Sequence, residues 1–247
     1  MTEKIIVTGG AGGIGSAIIE KYASIGANVI LADINVKEGT RIASLRPEQV
    51  FFVETDVLNV TSLQALFQKS TSIEGELTHI VSVAGRALPE EFGDFLTTPF
   101  DVLSQSIELN LKSHVYLTRL AIPYLRESSA TNRSISYISS INAIKDFGLP
   151  AYSAAKAGLL GLVSGMASEC GAMNIRINSV LPGTVRTPLT ESEPKDFGAL
   201  ERTTVLGRIA TATEIAEVVW ALSHVMTCVT GQNLVADCGQ VIRGMDK

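Results

Sequence analysis

The chain reads as an α/β protein built on a doubly wound parallel sheet. Three observations predict this class. Short apolar runs alternate with helical patterns of roughly 10–20 residues, the mark of βαβ units whose sheet is covered on both faces. A glycine-rich stretch, TGGAGGIG from Thr8 to Gly15, falls between the first strand and the first helix. No linker, repeat or low-complexity segment interrupts the alternation, so the 247 residues are expected to form one domain.

The elements follow in order. Residues 4–8 are a short buried strand, residues 13–25 a helix with an apolar face, and residues 27–33 a second strand. Residues 36–45 are helical and residues 50–55, VFFVET, strand-like. A helical apolar pattern over 63–70 precedes an apolar strand at 78–83. Residues 100–126 read as one long helix with Pro123 near its end. Residues 134–139 are β-like, and a loop then leads to a helix over 152–170. A strand at 174–180, a helix at 213–222 and a strand at 233–236 close the series. The longest irregular stretch, 184–204, contains TESEPKDFG with Pro188 and Pro194. A loop of that length in a compact domain is expected to be functional or disordered.

Composition narrows the partners. The formal charge is −5, with no basic stripe, so nucleic acid and anionic membrane are not expected. The N-terminus runs directly into a strand without a signal-peptide pattern, and no apolar run reaches the length of a membrane span. Cys170, Cys228 and Cys238 are odd in number and form no CxxC, which fits buried thiols in a reducing compartment. A cytoplasmic location is expected. His79, His114 and His224 are scattered without ligand spacing, so no metal site is expected.

The chemistry centres on AYSAAKAGLLG, residues 151–161. Tyr152 and Lys156 stand one helical turn apart on one face. A free phenol titrates near ~10, and a fixed positive charge lowers that value. Bringing it to about 7 takes roughly 4 kcal/mol, at ~1.4 kcal/mol per unit. The glycines of the first turn permit close approach of a pyrophosphate to helix N–H groups. Two registers are open: Gly10, Gly12 and Gly15, or Gly9, Gly13 and Gly15. Asp33 ends the second strand, where a carboxylate accepts hydrogen bonds from an adenosine ribose and repels a 2′-phosphate. The turn carries no Lys or Arg. NAD is therefore expected over NADP.

These residues together resemble the short-chain dehydrogenase/reductase family. TGGAGGIG is similar to its TGxxxGxG turn and Tyr152–Lys156 to its YxxxK. Ile138-Ser139-Ser140 resembles its serine segment, and Asn110 in ELNL its mid-helix asparagine. LPGTVRTP (181–188) is similar to its cofactor loop, and TGQNLVADCG (230–239) to its C-terminal segment. The resemblance runs from Lys4 to Gln240.

It implies a Rossmann fold with a seven-stranded parallel sheet in the order 3-2-1-4-5-6-7. Tyr152 would transfer the proton. Lys156 would lower its pKa and contact the nicotinamide ribose. Ser140 would bind the substrate oxygen, and Asn110 would hold a water linking Lys156 to solvent. Gly9, Gly13, Ile14 and Gly15 would cradle the cofactor, with Asp56 and Val57 beside the adenine and Ala84 and Gly85 near the ribose. Pro182 and Gly183 open the loop in which Thr187 and the backbone of Val185 would hold the carboxamide. Two departures stand out. SVAG (82–85) replaces the usual NNAG, and Ser139 lies at the usual interval from Tyr152 although Ser140 is second in ISS. Adjacent strand residues face opposite ways, and Ser140 is chosen.

The resulting expectation is an NAD-dependent oxidoreductase acting on a secondary alcohol or ketone. The alternative is a catalytically silent NAD-binding sensor or scaffold, which would not need to keep the four polar residues together. Ala154, Ala155, Ala157, Gly158, Gly161 and Gly165 make the catalytic helix small-surfaced, which matches the dimers or tetramers usual in the family. Substrate choice is assigned to residues 87–95, 141–149, 184–204 and the tail 241–247. Arg86 and Arg186 are candidates for an anionic substrate, with surface solvation the simpler role for each.

Overall fold

In the computed structural model of the chain, residues 2–187 and 196–243 are described. Pro188, Pro194 and the last residues of the tail lie outside them. Seven strands form one parallel sheet. They are β1 (Glu3–Thr8), β2 (Asn28–Asp33), β3 (Val50–Glu54), β4 (Glu76–Ser82), β5 (Ser134–Ile138), β6 (Arg176–Pro182) and, last in the chain, β9 (Asn233–Ala236). Their order is β3-β2-β1-β4-β5-β6-β9. This is the expected 3-2-1-4-5-6-7 arrangement. Two extra two-residue strands, β7 (Val185–Arg186) and β8 (Ala210–Thr211), pair with each other beside it.

Alternation along each strand explains how both faces are covered. Ile5, Val7, Val29 and Leu31 point into a core with Ile18, Ile19 and Tyr22 of α1 (Gly13–Ser24) and Ile215 and Val219 of α8 (Ala212–Trp220). Ile6, Ile30, Ile80, Ile135 and Ile177 point the other way. They meet α3 (Val60–Ser70), α5 (Ser113–Glu127) and α6 (Pro150–Ala172) through residues such as Leu66, Leu117 and Leu159. α2 (Val36–Ser44) and α4 (Phe100–Ile107) complete the larger helices. Side-chain caps start several of them. Asn35 accepts from Glu38 N, Asn59 from Thr61 N and Ser62 N, and Thr211 and Glu214 cap reciprocally.

The long helix expected over 100–126 is interrupted. Glu108–Lys112 is a π segment between α4 and α5. Asn110 lies within it, and its Nδ2 donates to the carbonyl of Ser106 one turn back at 3.0 Å. A side chain that competes with the helix ladder in this way favours a local change of winding. Part of the stretch expected to be irregular is also helical: Phe197–Arg202 (α7) starts on Asp196, which accepts from Ala199 N.

The histidines are not scattered in space. At the amino end of the sheet His79 and His224 lie with ring centroids 4.8 Å apart and planes tilted by 57°. His224 Nε2 meets Glu3 Oε2 at 2.9 Å, and His79 Nδ1 meets Ser134 Oγ at 2.9 Å. Ligand atoms of Glu3, His79 and His224 thus gather within 4.8 Å. Burial first, then the charges of His224 and Arg176, hold His79 well below the usual histidine range. His114 is held well below it too, by burial first and then by Lys156.

Both histidines are therefore buried neutral, and the unfolded chain takes up protons below about pH 6.5 that the folded chain refuses. Stability should fall as pH drops below that value, by up to ~1.4 kcal/mol per pH unit for each histidine. Urea melts at neutral pH and at pH 5 test this. His79→Gln should flatten the slope whatever its effect on the absolute stability, and an unchanged slope would refute the assignment.

Candidate active site

The parallel register brings the carboxyl ends of the central strands together. Thr8 of β1 pairs with Ala32 of β2 and Ser82 of β4, and Ser82 pairs with Tyr137 of β5. The residues just beyond these positions build the site, as expected where the order of an open sheet reverses.

The glycine turn leaves β1 with Gly9 at φ +68°, and Gly9 N donates to Ala32 O at 2.9 Å. A Cβ on Gly9 would stand 2.6 Å from Ala84 N, and one on Gly15 would collide with the Gly9 carbonyl. Gly9 and Gly15 thus need to be glycine on steric grounds, whereas a Cβ on Gly12 would meet its nearest atom at an ordinary 3.4 Å. α1 begins on Gly12 without a side-chain cap and with no acid in its first turn. The N–H groups at Gly13, Ile14 and Gly15 therefore open onto a site suited to an anion. Asp33 is tied to this turn: Oδ2 accepts from Ala11 N and Oδ1 from Asn35 N, both at 2.9 Å. Asp56 follows β3, takes Leu58 N on its own carboxylate and is held by Ser62 Oγ, with Val57 half-buried beside it.

Tyr152 and Lys156 lie on the first two turns of α6. Lys156 is 2% exposed, donates to Ile138 O at 2.9 Å, and has its Nζ 5.6 Å from the Tyr152 ring centre. Asn110 faces them from the π segment. Its Nδ2 donates to Arg86 O at 2.9 Å and to Ser106 O, and its buried Oδ1 has no partner among the described residues. A Cβ on Gly85 would stand 2.6 Å from that Oδ1 and 3.1 Å from Lys156 Nζ. Gly85, Asn110 and Lys156 are therefore one cluster. The two serines part: Ser139 Oγ turns back to donate to Lys156 O at 2.9 Å, while the Ser140 hydroxyl donates to Asn142 Oδ1 at 3.1 Å and stands close enough to the Tyr152 phenol to favour its ionisation.

The titration of the pair differs from the sequence expectation. Burial pushes the Tyr152 phenol up to about 12, the Glu91 charge pushes the same way, and the Ser140 hydrogen bond opposes them. Burial also brings Lys156 down to about 7. The sequence registers a neighbouring charge but not the loss of water around it, and loss of water dominates here.

After β6, Gly183 and Thr184 pass close to Gln240, whose Oε1 accepts from Thr184 N at 2.9 Å. A Cβ on Gly183 would stand 2.6 Å from the same oxygen. Pro182 is buried at the end of β6, paired with Ala236, and Val185 is buried in β7, with Thr187 two residues on. Arg186 pairs with Glu201 at 3.2 Å and covers the Phe197 ring. Where SVAG departs from NNAG, Ser82 Oγ meets His114 Nδ1 at 2.6 Å, so a serine–histidine pair fills the buried polar position. Sequence reasoning missed His114, Gln240, Asn142 on the Ser140 hydroxyl, and Glu91, whose Oε1 accepts from Tyr152 N at 3.0 Å. None carries a local motif.

The turn, the buried lysine and the orphaned Asn110 oxygen fit a dinucleotide lying along the carboxyl ends of the strands. Comparison with known proteins agrees with that class. The family profile described as Enoyl-(Acyl carrier protein) reductase matches residues 9–240. The chain is 30% identical to trans-4-hydroxycyclohexanecarboxylate dehydrogenase of Sinomonas cyclohexanicum, over 97% of this chain and 93% of that one. It is 32% identical to the 3-oxoacyl-[acyl-carrier-protein] reductase FabG of Thermotoga maritima, over 96% and 97%. An oxidoreductase of the short-chain dehydrogenase/reductase family from Burkholderia thailandensis superposes with a TM-score of 0.87 at 26% identity, over 98% of this chain and 93% of that one. The chain belongs to the short-chain dehydrogenase/reductase family, whose members transfer hydride between alcohol or ketone groups and a nicotinamide cofactor. Among the described residues no helix is long and apolar enough to cross a membrane.

Gly85→Ala should separate Asn110 from Lys156 and cost about 10²-fold in turnover, the scale of a small misplacement in a site of this kind. Thermal melting should fall as well, because a side chain at φ +153° is strained and a buried amide must move, so turnover is compared per folded molecule. Wild-type turnover in this variant would show that the cluster tolerates opening.

Proposed function

We propose that the protein is an NAD-dependent oxidoreductase of secondary alcohols and the corresponding ketones, with Tyr152 as the proton-transfer group. The reading rests on one observation above all: Ser140, Tyr152, Lys156 and the free oxygen of Asn110 converge at the carboxyl ends of β4 and β5. The nicotinamide, when bound, supplies the hydride acceptor or donor. The protein's own part is to orient the substrate oxygen and to move one proton. Ser140 donates to that oxygen and Tyr152 exchanges the proton with it. Lys156 binds the nicotinamide ribose and favours the ionised phenol, and Asn110 Oδ1 supplies the next acceptor toward solvent. Gly9, Gly13, Ile14 and Gly15 hold the pyrophosphate, Asp33 the adenosine ribose, and Asp56 and Val57 flank the adenine. Ala84 and Gly85 border the nicotinamide ribose, and Pro182, Gly183, Val185 and Thr187 border the carboxamide.

The phenol held high by burial is protonated at neutral pH, so it is ready to give a proton to a reduced ketone and must lose one before it can oxidise an alcohol. Oxidation should therefore rise with pH while reduction stays level through neutrality. The apparent value belongs to the coupled site. Tyr152→Phe should lose about 10²–10⁴-fold in turnover in both directions and bind NAD nearly normally. Lys156→Ala should lose turnover and also bind NAD more weakly. A panel of secondary alcohols, polyols, hydroxy acids and steroids, followed by NADH absorbance, identifies the substrate. Wild-type turnover in Tyr152→Phe would refute the mechanism.

The preference for NAD is supported by the Asp33 carboxylate at the glycine turn. It predicts a higher kcat/KM with NAD than with NADP, and Asp33→Asn should narrow the ratio. Equal use of both cofactors by the wild type would remove the argument. We further propose a homo-oligomer assembled through the exposed small residues of α6 and the neighbouring exposed Phe100 and Ile107. Nothing among the described residues stands within 4 Å of a Cβ placed on Gly165, so Gly165→Trp should be tolerated by one chain but dissociate the assembly in light scattering. A monomeric wild type at micromolar concentration would reject this.

A further inference from the structure

Helix α6 cannot cap itself. The residue before it, Leu149, has an apolar side chain and φ +58°, and Pro150 has no N–H. The first turn of the helix that carries the catalytic tyrosine thus exposes N–H groups that its own sequence does not satisfy. The partner arrives from sixty-one residues away. Glu91 sits on the 3₁₀ turn Pro89–Phe92 that follows β4, and its Oε1 accepts from Tyr152 N at 3.0 Å. Its other oxygen accepts from Leu88 N at 2.9 Å. Glu91 is 5% exposed, among apolar neighbours in a loop whose next residues, Phe92 and Phe95, are exposed. A carboxylate at that depth is costly unless its lone pairs are used, and here one oxygen takes a backbone N–H at the start of α6 and the other the N–H that precedes its own 3₁₀ turn.

We propose that Glu91 is a positioning residue for Tyr152: it ties the loop after β4 to the first turn of α6, and so fixes where the phenol stands relative to Ser140 and the substrate oxygen. The inference rests on the reading of Tyr152 as the proton-transfer group. Two features of the geometry carry it. The bond goes to the main-chain N–H of Tyr152 itself, so any slack is transmitted to that residue first. The same carboxylate holds Leu88 in the segment that borders the substrate side, so loop and helix cannot shift independently. The charge has a second effect. The groups acting on the phenol are Ser140 at the end of β5, Lys156 on α6 and Glu91 on the 3₁₀ turn, with His114 of α5 behind Lys156. Of these, Glu91 opposes ionisation and Ser140 favours it.

The test uses the full-length protein with Glu91→Ala, Glu91→Gln, the exposed neighbour Glu90→Gln and Tyr152→Phe. Glu91→Ala should lower kcat by about 10- to 100-fold, with NAD affinity within about threefold of wild type, because the phenol is displaced while the nucleotide cradle is untouched. Glu91→Gln keeps an oxygen for Tyr152 N–H and should recover most of that loss. It removes the charge, so the phenol should titrate at lower pH. The shift is read without substrate as tyrosinate absorbance, wild type minus Tyr152→Phe against the same difference in the Gln background, and with substrate as the acid limb of the oxidation profile. Glu90→Gln should change neither. Wild-type kcat in Glu91→Ala, or a Glu91→Gln kcat as low as that of Glu91→Ala, would reduce Glu91 to a structural cap and overturn the proposal. If Glu91→Ala fails to fold, Glu91→Asp, which keeps the charge on a side chain too short to reach both N–H groups unmoved, is read for the same loss of kcat, and wild-type kcat there overturns the proposal. An active Tyr152→Phe would instead remove the underlying reading, and the proposal with it.

Discussion

The site depends on keeping one lysine amine dry. Lys156 is enclosed by the end of β5, whose Ile138 carbonyl it holds, by Gly85 after β4, and by Asn110. An amine so placed gives up its proton near neutrality, which an exposed lysine never does. Each neighbour is constrained by it. Gly85 has no room for a methyl group, Asn110 spends its amide on Arg86 and Ser106 so that its oxygen faces inward, and Ser139 donates to the Lys156 carbonyl and so ties the helix to the end of β5. The polar residues act as a set because the sheet register delivers three strand ends to one place.

Electrostatics at this centre are governed by burial before they are governed by pairing. Tyr152 and Lys156 are displaced in opposite directions, each toward its neutral form. Groups moved toward their neutral forms are cheaper to bury, whereas a fully charged pair there would cost several kcal/mol in desolvation. The apoprotein thus stores the proton on the phenol.

The sheet was legible because strands buried on both faces read as nearly unbroken apolar runs, as in EKIIVT and NVILAD. The helix of the Tyr-Lys pair was legible to within two residues at each end, since Pro150 opens it and its apolar spacing continues to Ala172. The site motifs were legible because each is local. What could not be read depends on distance or on one-residue slips in winding. Glu91 and Tyr152 are joined by a single hydrogen bond across the fold, Ser82 and His114 pair across a helix and a strand, and His79 and His224 meet only after the chain has closed. Periodicity over 100–126 gave one helix because a π segment changes the phase without changing the composition.

That change of phase has a geometric yield. One extra residue in a turn rotates everything downstream by about 100° around the axis. The stretch before Glu108 therefore turns its inner side to α6, while the stretch after Lys112 turns a different side, with Leu117, Ala121 and Leu125, onto the sheet. A single rod is split into two faces that serve two neighbours, and the splice point is the residue that carries Asn110. The chain obtains an angular offset where a straight helix would have needed a loop, and the Asn110 amide stands at that offset with its Nδ2 on the Ser106 carbonyl.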